Sequence, residues 1–184
     1  MNPTPGAGRV TTDAASDAEF TTLNINAGDA DMLSEKKAQL ESNIHSGANW
    51  FFWIAALSVI NSVIILMDGG WSFLAGLGIT QLIDAFAFSF AEEATSAARI
   101  IAFVLSLTVA GVFVLFGLQA REKRNWAFIT GMILYALDGL IFLYVQDWLS
   151  IAFHLFALYG VFQGLRASNE FHALAADSAA SEAI

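Results

Sequence analysis

The sequence predicts an all-α, polytopic integral membrane helical bundle with about five transmembrane helices. Three observations carry that prediction. The chain of 184 residues is 57% hydrophobic and 14% charged, whereas a soluble domain carries roughly 25% charged residues. The charges are segregated: between Trp50 and Gln119 the only ones are Asp68, Asp84, Glu92, Glu93 and Arg99. The apolar runs approach the ~20 residues that match a hydrocarbon core about 30 Å thick.

Composition also excludes several classes. With no cysteine there is no disulfide framework, thiol catalysis or cysteine-based metal site. The net charge of −9 argues against a nucleic-acid partner, and no basic patch for anionic lipid stands out. Residues 1–30 hold one Arg, several acids and no apolar run, so they do not read as a signal peptide. The first apolar helix is expected to target the chain.

Residues 1–30 contain both prolines and are rich in Thr, Ala, Asp, Asn and Gly. They cannot bury enough apolar surface to offset ordering entropy, and are expected to form a disordered acidic tail. In 31–46, Asp31 can cap, and Leu33, Leu40 and Ile44 fall at helical spacing. This stretch is expected to be an interfacial helix. The transmembrane domain is expected over 47–166, with spans at 48–67, 71–90, 97–118, 126–145 and 148–166, and a C-terminal tail over 167–184.

In the first span, Trp50 and Trp53 suit a headgroup-level anchor. Asn61, with Ser58 and Ser62, suits hydrogen bonding to a neighbouring helix. The second segment is ambiguous, because it holds Gln81 and Asp84. An Asp near the middle of an inserting helix costs ~2.5–3.5 kcal/mol. Ser72, Gly76, Thr80 and Asp84 recur every four residues, so the stripe they form should face protein. Either 71–90 is a second span packed inside the bundle, or it is re-entrant and the bundle has four spans. An internal echo favours a span: Trp71-Ser-Phe73-Leu-Ala-Gly76 resembles Trp126-Ala-Phe128-Ile-Thr-Gly131. The distribution of cations favours the four-span alternative. Both alternatives put the basic loop 119–125, with Arg121, Lys123 and Arg124, and the C-terminus in the cytoplasm. A bacterial inner membrane is the default location for such a chain.

The residues that can carry chemistry are defined by depth. At ~1.5 Å per residue, Asp138 lies roughly 10 Å before the end of its span. His154 lies roughly 9 Å after the start of the next, across the minimal turn Gln146-Asp147. The two are therefore level, and Asp84 sits at a similar distance from the end of its own span. Asp84, Asp138 and His154 form a candidate intramembrane polar layer, with Asn61 and Gln81 as secondary polar groups. Intramembrane ionisable residues mark functional sites by default. An Asp–His pair suits proton relay, and equally suits a structural hydrogen bond locking the hairpin. Zinc is poorly supported: there is no HExxH and no second His in register. Gly160-x-x-x-Gly164 is the small-xxx-small pattern of close helix packing. His45 and His172 have no evident partner in the sequence.

No metal, cofactor or catalytic constellation is predicted. The leading expectation is a non-catalytic structural or interaction subunit in the lipid bilayer, associating with other membrane subunits or with itself. The rival is a small transporter or channel that moves protons or cations through the Asp84, Asp138, His154 layer. A membrane enzyme comes third.

Overall fold

The computed structural model describes residues 10–67, 77–89, 96–144 and 146–182, with side chains over 28–64, 67, 77–83, 100–144 and 146–180. Five helices follow in order: α1 (Val10–Leu66), α2 (Gly78–Ser89), α3 (Ser96–Arg121), α4 (Asn125–Tyr144) and α5 (Trp148–Glu182). No strand occurs among the described residues. Among the described residues, four segments are long and apolar enough to cross a membrane: Gly28–Ile64 in α1, Ile100–Arg121, Asn125–Tyr144 and Trp148–Ala180.

The second expected span, 71–90, is different. Of that stretch, residues 71–76 and 90 lie outside the described residues, Leu77 is not helical, and α2 takes the remaining 12 residues. At 1.5 Å per residue that is about 18 Å, well short of a ~30 Å hydrocarbon core. The helix starts at Gly78 because three consecutive backbone amides, those of Leu77, Gly78 and Ile79, donate to side chains of α1 and α4. The echo of 71–76 with 126–131 involves residues that are not described.

The chain divides into two units, Met1–Gln39 and Leu40–Ile184. In the first, helix begins at Val10, so it occupies most of the expected tail 1–30 and continues through 31–46. No proline follows Pro5 to interrupt it. Asp31 lies within the helix, where its carbonyl accepts a 2.8 Å hydrogen bond from Ser34 Oγ.

In the second unit, the core is aromatic. Phe51 of α1 packs against Phe113 and Phe116 of α3 and Phe128 of α4, with ring centroids 6.1–6.3 Å apart. Phe113 meets Tyr135 edge-on at 6.1 Å. Such tilted contacts set the positive ring edge against the negative face. Gly131 lies directly beneath the Phe51 ring, where a Cβ would collide with it. The helices α1 and α5 cross at two glycines: a Cβ built on Gly164 would lie 2.8 Å from Gly47 Cα and 2.8 Å from Phe128 Cε1. Gly160, four residues earlier on the same face, lies under the Trp50 indole.

The turns after α3 and after α4 are Schellman motifs closed without glycine. After α3, Lys123 takes φ 62°, Arg124 N donates to Gln119 O at 3.3 Å, and Lys123 N donates to Ala120 O at 3.0 Å. After α4, Gln146 takes φ 58°, Asp147 N donates to Phe142 O at 3.0 Å, and Gln146 N donates to Leu143 O at 3.3 Å. The 6→1 and 5→2 bonds satisfy carbonyls that a helix end otherwise leaves free. Asp147 then caps α5: its carboxylate accepts from Ser150 Oγ at 2.6 Å and from Ser150 N at 3.2 Å. These bonds, the Ser150 hydroxyl above all, hold the Asp147 carboxyl below its ordinary value.

The α3–α4 turn binds both flanking helices. Lys123 pairs with Glu41 of α1 and lies 4.0 Å from the Phe171 ring centroid of α5. Its carbonyl accepts from His172 Nε2 at 2.9 Å, a partner invisible in the sequence. Arg121 donates to Asn49 Oδ1 at 2.5 Å and stacks over Phe52. Ser168 Oγ donates to Asn125 Oδ1 at 2.5 Å. Glu41, Asn49, the 122–124 turn and Ser168 therefore sit at one end of the bundle.

The Lys123 hydrogen bond and its positive charge lower the Glu41 pKa. The folded state therefore binds fewer protons here than the unfolded state. The stabilisation is present above the ordinary carboxylate range and is lost as the pH falls through the lowered folded value. In Glu41→Gln, the melting temperature should fall slightly at pH 7 and match wild type at low pH, so that the acid limb of the profile flattens. An unchanged acid limb would remove Glu41 from the pH response.

The outer faces of α4 and of the first half of α5 are apolar. Leu137, Leu140, Leu143 and Leu155 are each more than half exposed. A contiguous face of this kind, carried on helices of spanning length, suits hydrocarbon rather than water.

Candidate functional site: a carboxylate–imidazole pair at the start of a short helix

The site grows from one stripe of α4. Tyr135, Asp138, Gly139 and Phe142 are spaced i, i+3, i+4 and i+7, so they share one helix face. His154 of α5 packs into that stripe. Its ring stacks on Tyr135, with centroids 4.3 Å apart and planes 13° apart, and meets Phe142 at 4.9 Å. A Cβ on Gly139 would stand only 3.3 Å from His154 Cδ2, so the glycine makes room for the imidazole. Both His154 and Asp138 are buried.

Two hydrogen bonds orient the imidazole. Nδ1 lies 2.8 Å from the Ser150 carbonyl oxygen, one turn back on α5. A carbonyl only accepts, so Nδ1 carries the hydrogen and donates. Nε2 lies 3.1 Å from Asp138 Oδ2. One further proton must therefore lie between Nε2 and Oδ2, because two lone pairs facing each other would repel. Whichever atom holds it, the pair is neutral overall.

Asp138 does more than face the histidine. Its Oδ2 accepts from Gly78 N at 2.7 Å and its Oδ1 from Ile79 N at 2.8 Å. These are the first free amides of α2, which point outward from a helix start and attract an acidic side chain. Usually the capping residue is local in sequence; here it comes from another helix, 60 positions away. Leu77 N donates at 2.7 Å to Ser58 Oγ of α1, and that hydroxyl donates at 2.8 Å to Ile54 O. Thr80 Oγ1 donates to Leu77 O at 2.7 Å, closing the first turn. Gly78 is needed for the approach: a Cβ there would stand 2.7 Å from Phe142 Cε2 and 3.3 Å from Asp138 O.

Of the expected polar layer, Asp138 and His154 meet directly. Asp84 lies on α2 five residues beyond Ile79, about 7.5 Å along the axis, and its side chain lies outside the described residues. Asn61 is fully buried on α1. Gln81 is half-buried, and its amide nitrogen has no hydrogen-bond partner among the described residues. Asp138 and His154 offer two donor atoms to a cation, and no group of three such residues converges among the described residues. Ser58, Ser150, Tyr135 and the amides of Gly78 and Ile79 were not singled out by sequence as members of this site. Helix-period spacing could have shown Tyr135 sharing a face with Asp138, but no local pattern links residue 138 to residue 78.

A cavity of about 330 Å³ opens beside the pair, between α2, α3 and α4. Its nine lining residues are apolar except Asp138.

Fold and site define an all-helical bundle in which a buried Asp–His pair clamps the start of a short internal helix. Comparison with protein-family models, with curated proteins and with solved structures finds no match.

Proposed function

We propose that this chain is a small, non-catalytic integral membrane protein, a structural or interaction subunit, whose Asp138–His154 pair is a structural clamp. One observation carries the reading. Of roughly four acceptor sites on a carboxylate, Asp138 uses three on Gly78 N, Ile79 N and His154. A group that ferried protons or cations would have to break those bonds at every cycle, and each break would leave buried donors unsatisfied.

The arrangement also supports four crossings, with α2 as a re-entrant half-helix. Glu41 and Asn49 at the near end of the first span contact Lys123 and Arg121 at the far end of α3. An even number of crossings must separate them, and α1 and α3 supply two. A half-helix starting inside a bundle is tolerated where protein groups satisfy its amides, and Asp138 and Ser58 do so. By the positive-inside rule the end bearing Arg121, Lys123 and Arg124 is cytoplasmic, with both termini on that side. The proposed location is the cell membrane, with a bacterial inner membrane as the default. The partners are lipid and, for an interaction subunit, other membrane proteins or a second copy.

The test sets stability against transport. In proteoliposomes with an imposed pH gradient, wild type should pass no more protons than empty vesicles. Asp138→Asn should lower thermal stability, and His154→Ala should do the same. Proton flux in wild type, abolished by Asp138→Asn at unchanged stability, would overturn the clamp in favour of a transporter.

A further inference from the structure

The cavity beside the clamp has a chemistry of its own. Leu77, just before α2, Ile79 of α2, Val112 and Phe113 of α3, and Leu134 of α4 line it with Asp138. Its rim faces outward: Ile79 is 36% exposed, Val112 38% and Leu134 41%. In the proposed membrane setting that rim meets hydrocarbon, so an occupant arrives sideways from the lipid. The apolar lining selects a hydrocarbon body.

The one polar lining group narrows the choice. Asp138 is 7% exposed. Three of its roughly four acceptor sites are taken, and the fourth, on Oδ1, has no partner among the described residues. A carboxylate that already accepts three bonds can add only a donor. With the shared proton the pair is neutral, so a cationic amine would bring an unbalanced charge into a dry site. A neutral hydroxyl brings none.

We infer that this cavity binds a lipophilic alcohol, a long hydrocarbon chain with one terminal hydroxyl, which donates its hydrogen to Asp138. Asp138 then has two tasks on different lone pairs: holding α2 and reading the ligand. The mouth needs no gate, because the ligand dissolves in the surrounding lipid.

The test uses the full chain in nanodiscs of a saturated phosphatidylcholine. Two photoactivatable probes of equal length are compared, a diazirine-bearing hexadecanol and the same diazirine hydrocarbon without the hydroxyl. The alcohol should label peptides containing Val112 and Leu134 saturably, be displaced by unlabelled hexadecanol, and outcompete the hydrocarbon about tenfold, as one ordinary buried hydrogen bond implies. Leu134→Trp and Val112→Phe each fill the cavity and should abolish that labelling while the melting temperature holds or rises. Should either variant misfold, the wild-type competition still decides. Equal labelling by both probes, labelling without saturation, or labelling that survives a folded, filled variant would mean ordinary lipid contact and would overturn the proposal. None of these outcomes depends on whether the clamp stabilises the fold.

Discussion

Replacing Asp138 should destabilise the protein in graded steps. Asp138→Ala strips two buried amides and one buried imidazole of their acceptor at once. Breaking a buried, hydrogen-bonded charge pair by removing one partner costs about 3–5 kcal/mol. Asp138→Asn should cost less. Its amide group can donate to His154 Nε2, and its oxygen can still accept from Ile79 N. Only Gly78 N then loses its partner, for about 1–3 kcal/mol. The ranking wild type, Asn, Ala in a denaturant or thermal titration in detergent is the expected result. Hydrogen exchange should localise the loss, with the amides of Gly78 and Ile79 exchanging fast in Asp138→Ala while mid-helix amides of α3 and α4 stay protected. Loss of protection spread evenly through all helices would show that the clamp does not act on α2. His154→Ala combined with Asp138→Ala should cost less than the sum of the two, because the pair is lost only once.

The second large effect lies at the other end of the bundle. Gly164→Leu puts a branched side chain where even a Cβ would stand 2.8 Å from Gly47 Cα and from Phe128 Cε1. The first of those neighbours is backbone, so relief requires α1 and α5 to part. Overpacking typically costs 1–3 kcal/mol, and about 3 kcal/mol or more is expected where a backbone must move. Separation would also weaken the Trp50–Phe156 edge contact, whose centroids are 5.0 Å apart. The measurement is a melting curve in detergent for Gly164→Ala and Gly164→Leu, with Gly111→Ala as the control. A Cβ on Gly111 meets nothing within 4 Å, so that variant should melt with wild type or slightly higher, alanine being the better helix former. Equal stability of all four proteins would show that the crossing is not close.

The two effects differ in how far the sequence announced them. The glycine pair Gly160 and Gly164 stands out from spacing alone, since residues four apart share a helix face whatever surrounds them. Its counterpart Gly47 does not, because the crossing point of two helices depends on their relative placement. Likewise Asp138 and His154 could be put at one depth, because a minimal turn forces two helices to run antiparallel at a fixed rise per residue. The same arithmetic applied to Asp84 took 71–90 to be one straight element, and among the described residues helix begins only at Gly78.

What the sequence determined by itself is the class of the fold. Long apolar runs without charge must be helical and must hide their backbone polarity internally. It also determined four of the long helices, the tight 146–147 turn, and the burial of Asp138 and His154. The helix boundaries beyond the apolar runs were less legible, since α1 and α5 continue into polar sequence where nothing stops them. Only the tertiary structure decided that Asp138 serves α2. A helix start leaves amides that any nearby acceptor can take, and which acceptor is nearby is set by how α2, α4 and α5 pack. For that reason the residue read first as half of a hairpin lock is the cap of a helix 60 positions earlier in the chain.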